Sequence, residues 1–443
     1  MMLNYLNIIN NKMNKLYLIL SISTFIFFFL VMIFTKKDKN RSYIKFVLIG
    51  YPLMAITISY NYFAFAIFDI ITFLFFILLY KKKELNFKSD FIYTFLFLIL
   101  NTSIIIGLLL SESLSNETIR VSIQFFSIYL FAKILIEEFF ADRYYFFTII
   151  KYLKIALVIS LLFLVCQFIF GTGFTFDKTT NINVLSGINI RYPSYFQDPQ
   201  KYAQFLSAIS FLFLIKDPIS NKLSSLNYIL LISTLVALLY TGGRAALGGL
   251  FLGVGLILFF GKSQYKFVIL TSIVAMAFIA FNFSNKFAML NRGADLSEAY
   301  DFRYSIWQDA YRTFELHPFF GIGFGNYANY VAAHNPDQFW VVNNEITYFD
   351  HPESGYLKFL TELGIFGFFA LFAMLFLTIF NGFKNYSSGR DNDLLLLIAS
   401  IGSWLVGFYT VYSLGDLRIR LLILVLTLLL FSRYKWNILD ANK

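Results

Sequence analysis

Residues 90–110 read DFIYTFLFLILNTSIIIGLLL, and no charged residue follows the first one. An α-helix rises about 1.5 Å per residue, so about 20 residues cross the ~30 Å hydrocarbon core of a bilayer. An uncharged stretch of this length therefore predicts a transmembrane helix. Similar stretches recur along the whole chain, and they decide the fold.

Thirteen apolar runs have lengths close to that of a transmembrane helix. They lie at about residues 16–34, 43–60, 62–80, 90–110, 118–138, 149–170, 201–215, 228–243, 245–260, 266–282, 354–380, 394–413 and 417–433. Backbone amides at membrane depth need partners within the protein, and no strand-like alternation recurs. We therefore predict an all-α, polytopic membrane helix bundle of about 12–14 transmembrane helices. It forms a single domain over residues 1–443.

The composition also indicates a membrane protein. Hydrophobic residues make up 58% of the chain and charged residues 14%, whereas soluble domains carry about 25% charge. The net charge of +10 comes from short basic clusters between apolar runs. That placement is typical of cytoplasmic connections and does not indicate a nucleic-acid-binding face. The single cysteine, Cys166, leaves no partner for an internal disulfide.

Lysine and arginine residues predict the orientation of the bundle. They are concentrated at residues 35–45 and 81–89, which places both connections in the cytoplasm. Alternation then places residues 171–200 and 283–353 outside. The longer outer loop contains nine acidic and four basic residues, together with all three histidines of the chain. Since a connection of about 70 residues exceeds an ordinary loop, we expect it to carry function.

A helix followed by a turn is predicted inside the longer loop. Residues 301–316 have apolar side chains at every fourth position, which indicates a helix. That apolar face consists of Phe302, Ile306, Ala310 and Phe314. Pro318 ends the helix, and the three glycines that follow predict a tight turn. These are Gly321, Gly323 and Gly325.

Arg244 is the first candidate functional residue. It follows Thr241-Gly242-Gly243 between two apolar runs that are too long together for one helix. An arginine at membrane depth is costly, so it usually faces a polar cavity or an anion. The adjacent glycines and the start of the next helix favour an anion, such as a phosphate. The alternative is an interfacial arginine that reaches the lipid headgroups.

Two further arginines, Arg191 and Arg303, lie in the outer loops. A guanidinium binds phosphate oxygens in a bidentate manner, so both are candidate anion ligands. The alternative for each is a solvated loop residue. Their common location with Arg244 on the outer side favours the functional interpretation.

The three histidines differ in their sequence context. His351 precedes the apolar run from Gly355, and a neutral imidazole there can accept a hydroxyl proton. The alternative is a structural histidine at the start of a helix. His317 precedes a proline and is interpreted as structural, whereas His334 stays open. Their spacing fits no metal-binding motif, so no metal site is predicted.

Several motifs resemble those of the O-antigen polymerase and ligase superfamily, which comprises Wzy-type polymerases and lipid A-core ligases. They follow the family's order on a polytopic frame and cover roughly residues 190–370. The motifs are RYP at 191–193 with Asp198-Pro199, YTGGRAALGGL at 240–250, Arg303-x3-Trp307, HPFFGIGFGNY at 317–327, and H-x4-Y-L-x2-L-x-E-x-G-x2-G from His351 to Gly367.

The resemblance implies an inverting, metal-independent glycosyl transfer without a cofactor, from a polyprenyl-diphosphate-linked glycan. Arg244 and Arg303 would bind the diphosphate, and His351 would deprotonate the acceptor hydroxyl. Further predicted substrate-binding residues are Arg191, Glu353, Tyr356 and His334. The family histidine lies three residues before the Tyr-Leu pair, whereas His351 lies five before it. Glu353 and His334 are therefore alternatives for the base.

These observations predict a polymerase of lipid-linked repeat units for O-antigen or a related surface polysaccharide. Its substrate would act as both donor and acceptor, in contact with membrane lipid, and a chain-length regulator is a candidate partner. We expect it in the cytoplasmic membrane with its active site facing the periplasm. The nearest alternative is the ligase that transfers the finished glycan to lipid A-core. An alternative of another class, a lipid-linked oligosaccharide flippase, fits the long outer loops less well.

Overall fold

The computed structural model describes most of the chain. The described residues are 19–20, 22–34, 38–60, 63–83, 91–111, 116–175, 185–186, 189–196, 198–216, 223–291, 296–335, 339–342, 345–349 and 351–441. Parts of the predicted basic connections and of both predicted outer loops lie outside the described residues, as does Arg292.

The described residues form a bundle of helices, which confirms the predicted all-α class. The helices are α1 (Ile22–Phe34), α2 (Lys39–Ile49), α3 (Ile67–Leu78), α4 (Phe91–Leu110), α5 (Asn116–Ala141), α6 (Tyr145–Phe170), α7 (Pro199–Ile209), α8 (Ser225–Thr241), α9 (Arg244–Phe260), α10 (Ser263–Asn282), α11 (Ala288–Asn291), α12 (Leu296–Leu316), α13 (Tyr327–His334), α14 (Gly355–Gly389), α15 (Asn392–Phe408) and α16 (Leu417–Ala441).

Each apolar run of the sequence contains one of these helices. Among the described residues, five helices are long and apolar enough to cross a membrane, namely α4, α5, α6, α10 and α14. Five shorter apolar helices of 10–17 residues accompany them: α1, α3, α8, α9 and α15. The polytopic membrane architecture predicted from the sequence is therefore confirmed.

The run at residues 43–60 is helical only in its first part. α2 ends before Gly50, and Pro52 follows within a short 3-10 turn. Proline lacks the N–H that would continue a helix. β1 (Thr57–Tyr60) occupies the end of the run, so the prediction of one continuous helix over 43–60 is wrong. β1 pairs with β2 (Phe63–Ala66) at the start of the next predicted run, 62–80, which becomes helical only from Ile67.

Two further hairpins lie in the predicted outer loops. β3 (Leu185–Ser186) pairs with β4 (Asn189–Ile190), and β5 (Phe339–Val342) pairs with β6 (Glu345–Tyr348). The helix predicted at 301–316 is confirmed as α12, which begins at Leu296. On its predicted apolar face, Ile306 and Ala310 are buried.

Close helix packing organises the centre of the bundle. α9 lies against α15, and glycines replace the side chains that would separate them. A Cβ on Gly249 would collide with the backbone of Ser403, and one on Gly253 would lie 2.5 Å from the ring of Phe211. Small residues four positions apart allow such close approach in membranes.

One end of the bundle, the basic end, collects the connections predicted to be cytoplasmic. Glu138 at the end of α5 contacts Arg41 Nε at 3.0 Å and Lys83 Nζ at 2.7 Å. Arg143, before α6, forms hydrogen bonds to Asp440 near the end of α16. Segments that are far apart in sequence therefore share this end, as the charge pattern predicts.

The opposite end, the loop end, collects the segments predicted to be outside. The backbone N–H of Tyr192 donates to the carbonyl oxygen of Tyr240 at 3.3 Å. Arg418, at the start of α16, lies over the Phe196 ring at 4.8 Å. Since α16 runs from Arg418 at this end to Asp440 at the basic end, the two ends are about 33 Å apart.

We predict the orientation of these ends from single-cysteine accessibility. In a Cys166→Ser background, a membrane-impermeant maleimide added to spheroplasts should label Glu315→Cys on α12. It should label Lys82→Cys only after the membrane is permeabilised. The reverse pattern would contradict the predicted topology and would place the candidate site below on the wrong side.

Candidate active site

The longer outer loop folds back onto the start of α14. After α12, the turn at residues 318–325 leads into α13, and the hairpin β5–β6 follows. The chain enters α14 through residues 351–354, where the Ser354 side chain caps the helix. The predicted turn at residues 318–325 and the predicted base His351 therefore both lie next to α14.

α14 is interrupted at Gly364, whose backbone angles of φ 62° and ψ −172° are not helical. The interruption leaves nearby backbone groups without helical partners, and at membrane depth they need others. The turn after Pro318 supplies those partners through four backbone hydrogen bonds. From the turn, the N–H groups of Ile322 and Gly323 donate to the carbonyl oxygens of Thr361 (3.0 Å) and Glu362 (3.2 Å). From α14, the N–H groups of Ile365 and Phe366 donate to the carbonyl oxygens of Pro318 (2.8 Å) and Phe319 (3.4 Å).

Glycine is required on both sides of this contact. Gly364 and Gly321 have φ values of 62° and 69°, in the left-handed region that glycine adopts at little cost. A Cβ on Gly364 would collide with the backbone of Phe319, and one on Gly321 with the backbone of Glu362. The turn and α14 therefore form one unit held backbone to backbone.

A buried ion pair lies beside this unit. Lys358 Nζ is 2.9 Å from Glu362 Oε1, one helical turn away. The same oxygen accepts a hydrogen bond from the backbone N–H of Tyr327 at 3.1 Å, at the start of α13. Lys358 also lies over the Tyr412 ring at 4.9 Å. Because a buried charge is costly without a partner, the pair holds α13, α14 and the 409–416 segment together.

Arg303, His351 and Glu353 meet at the loop end. Glu353 Oε2 is 3.7 Å from Arg303 Nη2, and Glu353 Oε1 is 3.6 Å from His351 Nε2. The three side chains are 21–30% exposed, so a ligand can reach them. Glu353 has φ 48°, a conformation that is uncommon outside glycine and is concentrated at functional sites. Three predicted site residues from two segments are thus neighbours.

Aromatic residues surround this cluster. Trp307, one helical turn beyond Arg303, packs edge-on against Tyr409 with ring centres 5.5 Å apart. The His351 ring lies 5.7 Å from Tyr412. Tyr356, a predicted substrate contact, donates its hydroxyl hydrogen bond to Leu405 O at 2.9 Å. Its hydroxyl is therefore engaged in fixing α14 to α15.

Arg244 lies at the break between α8 and α9. Gly242 ends α8 in the left-handed conformation, and Gly243 precedes the first residue of α9, which is Arg244. The side chain of Arg244 is exposed. The predicted helix break and helix start are confirmed. Its predicted phosphate contact stays a prediction.

Arg191 is buried, with 3% of its surface exposed, so its interpretation as a solvated loop residue is wrong. Its Nε donates to the carbonyl oxygen of Thr241 at 2.8 Å. A cation is favourable at a helix C-terminus, where the last carbonyls carry partial negative charge. Arg191 therefore anchors the end of α8, three residues before Arg244. Its phosphate contact likewise stays a prediction.

A second buried ion pair anchors the shorter outer loop. Arg418 Nε and Nη2 donate to Asp416 at 2.8 and 2.6 Å, and Arg418 Nη1 donates to the carbonyl oxygen of Tyr195. Burial raises the pKa of Asp416, but the Arg418 guanidinium outweighs burial and holds that pKa below its ordinary value. Asp198 contributes at the same loop by capping α7, with Pro199 at the first helical position.

The other two histidines pack around Tyr330. His334, at the end of α13, stacks on that ring at 4.2 Å, and its Nδ1 lies 3.2 Å from Tyr330 O. His317 packs edge-on against the same ring at 5.6 Å. His351 is the histidine that contacts Glu353, so it is the better placed candidate base.

The comparison with known families agrees with this arrangement. A family model described as O-antigen ligase matches residues 229–372. This match supports the resemblance of that segment to the O-antigen polymerase and ligase superfamily. Members of the matched family are membrane glycosyltransferase-like enzymes. The comparison with curated proteins finds no match to this chain.

The superfamily segment contains most of the candidate site. Arg244, Arg303, His351 and Glu353 lie within residues 229–372, as does the glycine turn. Arg191 and the Asp416–Arg418 pair lie outside it. The matched segment thus supplies the exposed cluster, and the flanking segments supply buried anchors.

Several residues that shape the site were not predicted from the sequence. Lys358 and Glu362 are four positions apart inside an apolar run, a spacing that predicts a pair on one helix face. Asp416 and Arg418 are similarly close, at the start of the last run. Tyr409 and Tyr412 carry no comparable signal, because a tyrosine near the membrane surface is ordinary.

Substitution of Gly364 tests the backbone unit. Gly364→Ala should destabilise the protein by roughly 3 kcal/mol, because the new Cβ collides with Phe319 and the residue leaves its preferred conformation. The matched control is Gly255→Ala, a helical position with open space around its Cβ. Thermal unfolding in nanodiscs measures both variants. Equal melting temperatures would contradict the proposed role of the break.

Proposed function

We propose that this protein polymerises polyprenyl-diphosphate-linked oligosaccharide repeat units into O-antigen or a related surface polysaccharide. The observation that supports this proposal most strongly is the exposed cluster of Arg303, Glu353 and His351. It combines a cation for a diphosphate with two groups able to accept a proton. The reaction would take place at the outer face of the cytoplasmic membrane.

Arginine would stabilise the leaving group. A diphosphate carries its charge on oxygens that a guanidinium fork contacts in pairs. Arg303, which is 30% exposed, and Arg244, which is exposed, are the arginines proposed to make these contacts. Charge on the diphosphate increases as the glycosidic bond breaks. Cations fixed in a site of low dielectric constant are effective at that step.

The proposed transfer breaks the bond between the anomeric carbon and the diphosphate oxygen. A hydroxyl oxygen of the acceptor glycan attacks the same carbon from the opposite face, so the configuration inverts. The hydroxyl proton passes to the base, and polyprenyl diphosphate leaves with the bonding electrons. No metal ion is required in this scheme, because arginine offsets the diphosphate charge.

Two assignments of the base are compatible with the geometry. His351 can take the proton while Glu353, 3.6 Å away, stabilises the imidazolium that forms. Alternatively, Glu353 accepts the proton itself once a diphosphate has replaced it at Arg303. We favour His351, because Glu353 is shared between two partners.

The polymerase and the ligase share the donor and the chemistry, and they differ in the acceptor. The residues Glu-Ser-Gly-Tyr-Leu at 353–357 resemble polymerases more than ligases. The matched family is described as O-antigen ligase, so transfer of the finished glycan to lipid A-core is the second candidate. The glycan that accumulates on the lipid carrier in a deletion strain distinguishes a polymerase from a ligase. Loss of a polymerase leaves single repeat units on the lipid carrier, and loss of a ligase leaves long chains there.

Polymer ladders from variants test the proposed site. His351→Ala and Arg303→Lys should each reduce polymer formation at least about 100-fold, because one removes the base and the other the bidentate fork. Glu353→Gln should reduce it less. The measurement is the ladder of surface polysaccharide on gels at matched protein levels.

Arg312→Ala is the matched control, because Arg312 lies on α12 with Arg303 but pairs with Asp309. His334→Ala tests the other histidine predicted as an alternative base, and both variants should give wild-type ladders. A wild-type ladder from His351→Ala, together with loss of the ladder in Glu353→Gln, would assign the base to the Glu353 carboxylate. Wild-type ladders from the His351 and Arg303 variants would contradict the proposed site.

A further inference from the structure

A polar cleft of about 440 Å³ lies at the basic end, away from the candidate active site. Five segments line it, namely α6, the residues that follow α7, the α9–α10 connection, the α14–α15 connection and α16. Its volume is in the range of small-molecule sites. The proposed reaction at the loop end does not involve it.

Positive charge predominates in this cleft. Among the described residues, its charged lining consists of Lys216, Lys262, Arg390 and Arg433 against Asp391 and Asp393. With four basic and two acidic side chains, the lining of the cleft has a net charge of about +2.

The two carboxylates are directed to one arginine. Arg433 contacts Asp391 at 2.7 Å and Asp393 at 3.2 Å, and Asn437 donates to Asp391 at 3.1 Å. Within the part of the chain that the structure describes, no acidic side chain lies within 4 Å of Lys216, Lys262 or Arg390. These three cations come from separate segments, which indicates convergence on the cleft rather than a local charge run.

The backbone at the cleft also favours an anion. Lys262 precedes the first turn of α10, and Gln264 of that turn lines the cleft. A helix start presents open N–H groups and a partial positive charge. The Tyr386 hydroxyl donates to the carbonyl oxygen of Phe260, which holds the end of α14 against the end of α9. The walls of the cleft are therefore fixed.

We propose that this cleft binds a phosphate-bearing anion. Three cations and a helix start match the charge and the oxygen acceptors of a phosphate group. The cleft lies at the end where the basic connections meet lipid headgroups. The same phosphate chemistry is available from an anionic phospholipid of the facing leaflet and from a free phosphate ion.

Thermal stability in nanodiscs of defined lipid tests this site, because a ligand that binds the folded state raises the melting temperature. The purified protein is placed in phosphatidylcholine discs, in the same discs with millimolar inorganic phosphate, and in discs containing phosphatidylglycerol. A rise with phosphatidylglycerol alone identifies a lipid headgroup. A rise with inorganic phosphate in neutral discs identifies a free anion.

The double variant Lys216→Gln/Lys262→Gln should bind about 25-fold more weakly, at about fivefold for each lysine, and should lose most of the rise. The control is Lys266→Gln, which removes the same charge from α10 at a position that does not line the cleft. This control should show the same ligand-induced rise in melting temperature as the wild type. Equal rises in the double variant and the wild type, or no rise with either ligand, would overturn the proposal.

Discussion

The backbone contact between the turn at residues 318–323 and the break in α14 is the constraint on which the loop end depends. Breaking a helix within a membrane protein exposes amides and carbonyls that lipid cannot satisfy. Here the turn receives or supplies four hydrogen bonds, and the Ser103 hydroxyl donates to Leu363 O at 2.7 Å. The break is tolerated because these hydrogen bonds satisfy the backbone groups that it exposes.

The contact also explains how a long loop can hold a catalytic geometry. The turn fixes the C-terminal end of α12 against α14. Arg303 lies nearer the start of α12, and His351 and Glu353 lie at the entry to α14. Two buried ion pairs, Lys358–Glu362 and Asp416–Arg418, attach the neighbouring segments. Groups that must stabilise a developing charge are most effective when they are fixed before the reaction.

The helices could be predicted from the sequence because apolar length is a local property. The hairpin that follows α2 was missed, since Gly50 and Pro52 break a run whose hydropathy stays high. In the site, the clustering of Arg303, His351 and Glu353 was indicated by motifs. The burial of Arg191 could not be predicted, because its hydrogen-bond partner is the carbonyl oxygen of Thr241, 50 residues away in the chain. Long-range backbone partners leave no signal in a single sequence.

The most direct test of the central claim is a reconstituted reaction with the purified protein in neutral nanodiscs and a lipid-linked repeat unit as the only glycan. Mass spectrometry follows chain length and free polyprenyl diphosphate over time. We expect lipid-linked chains of two or more repeats, with one polyprenyl diphosphate released for each new bond, and no reaction with Arg303→Ala. Unchanged repeat units in the wild type, or transfer only after lipid A-core is added, would contradict it.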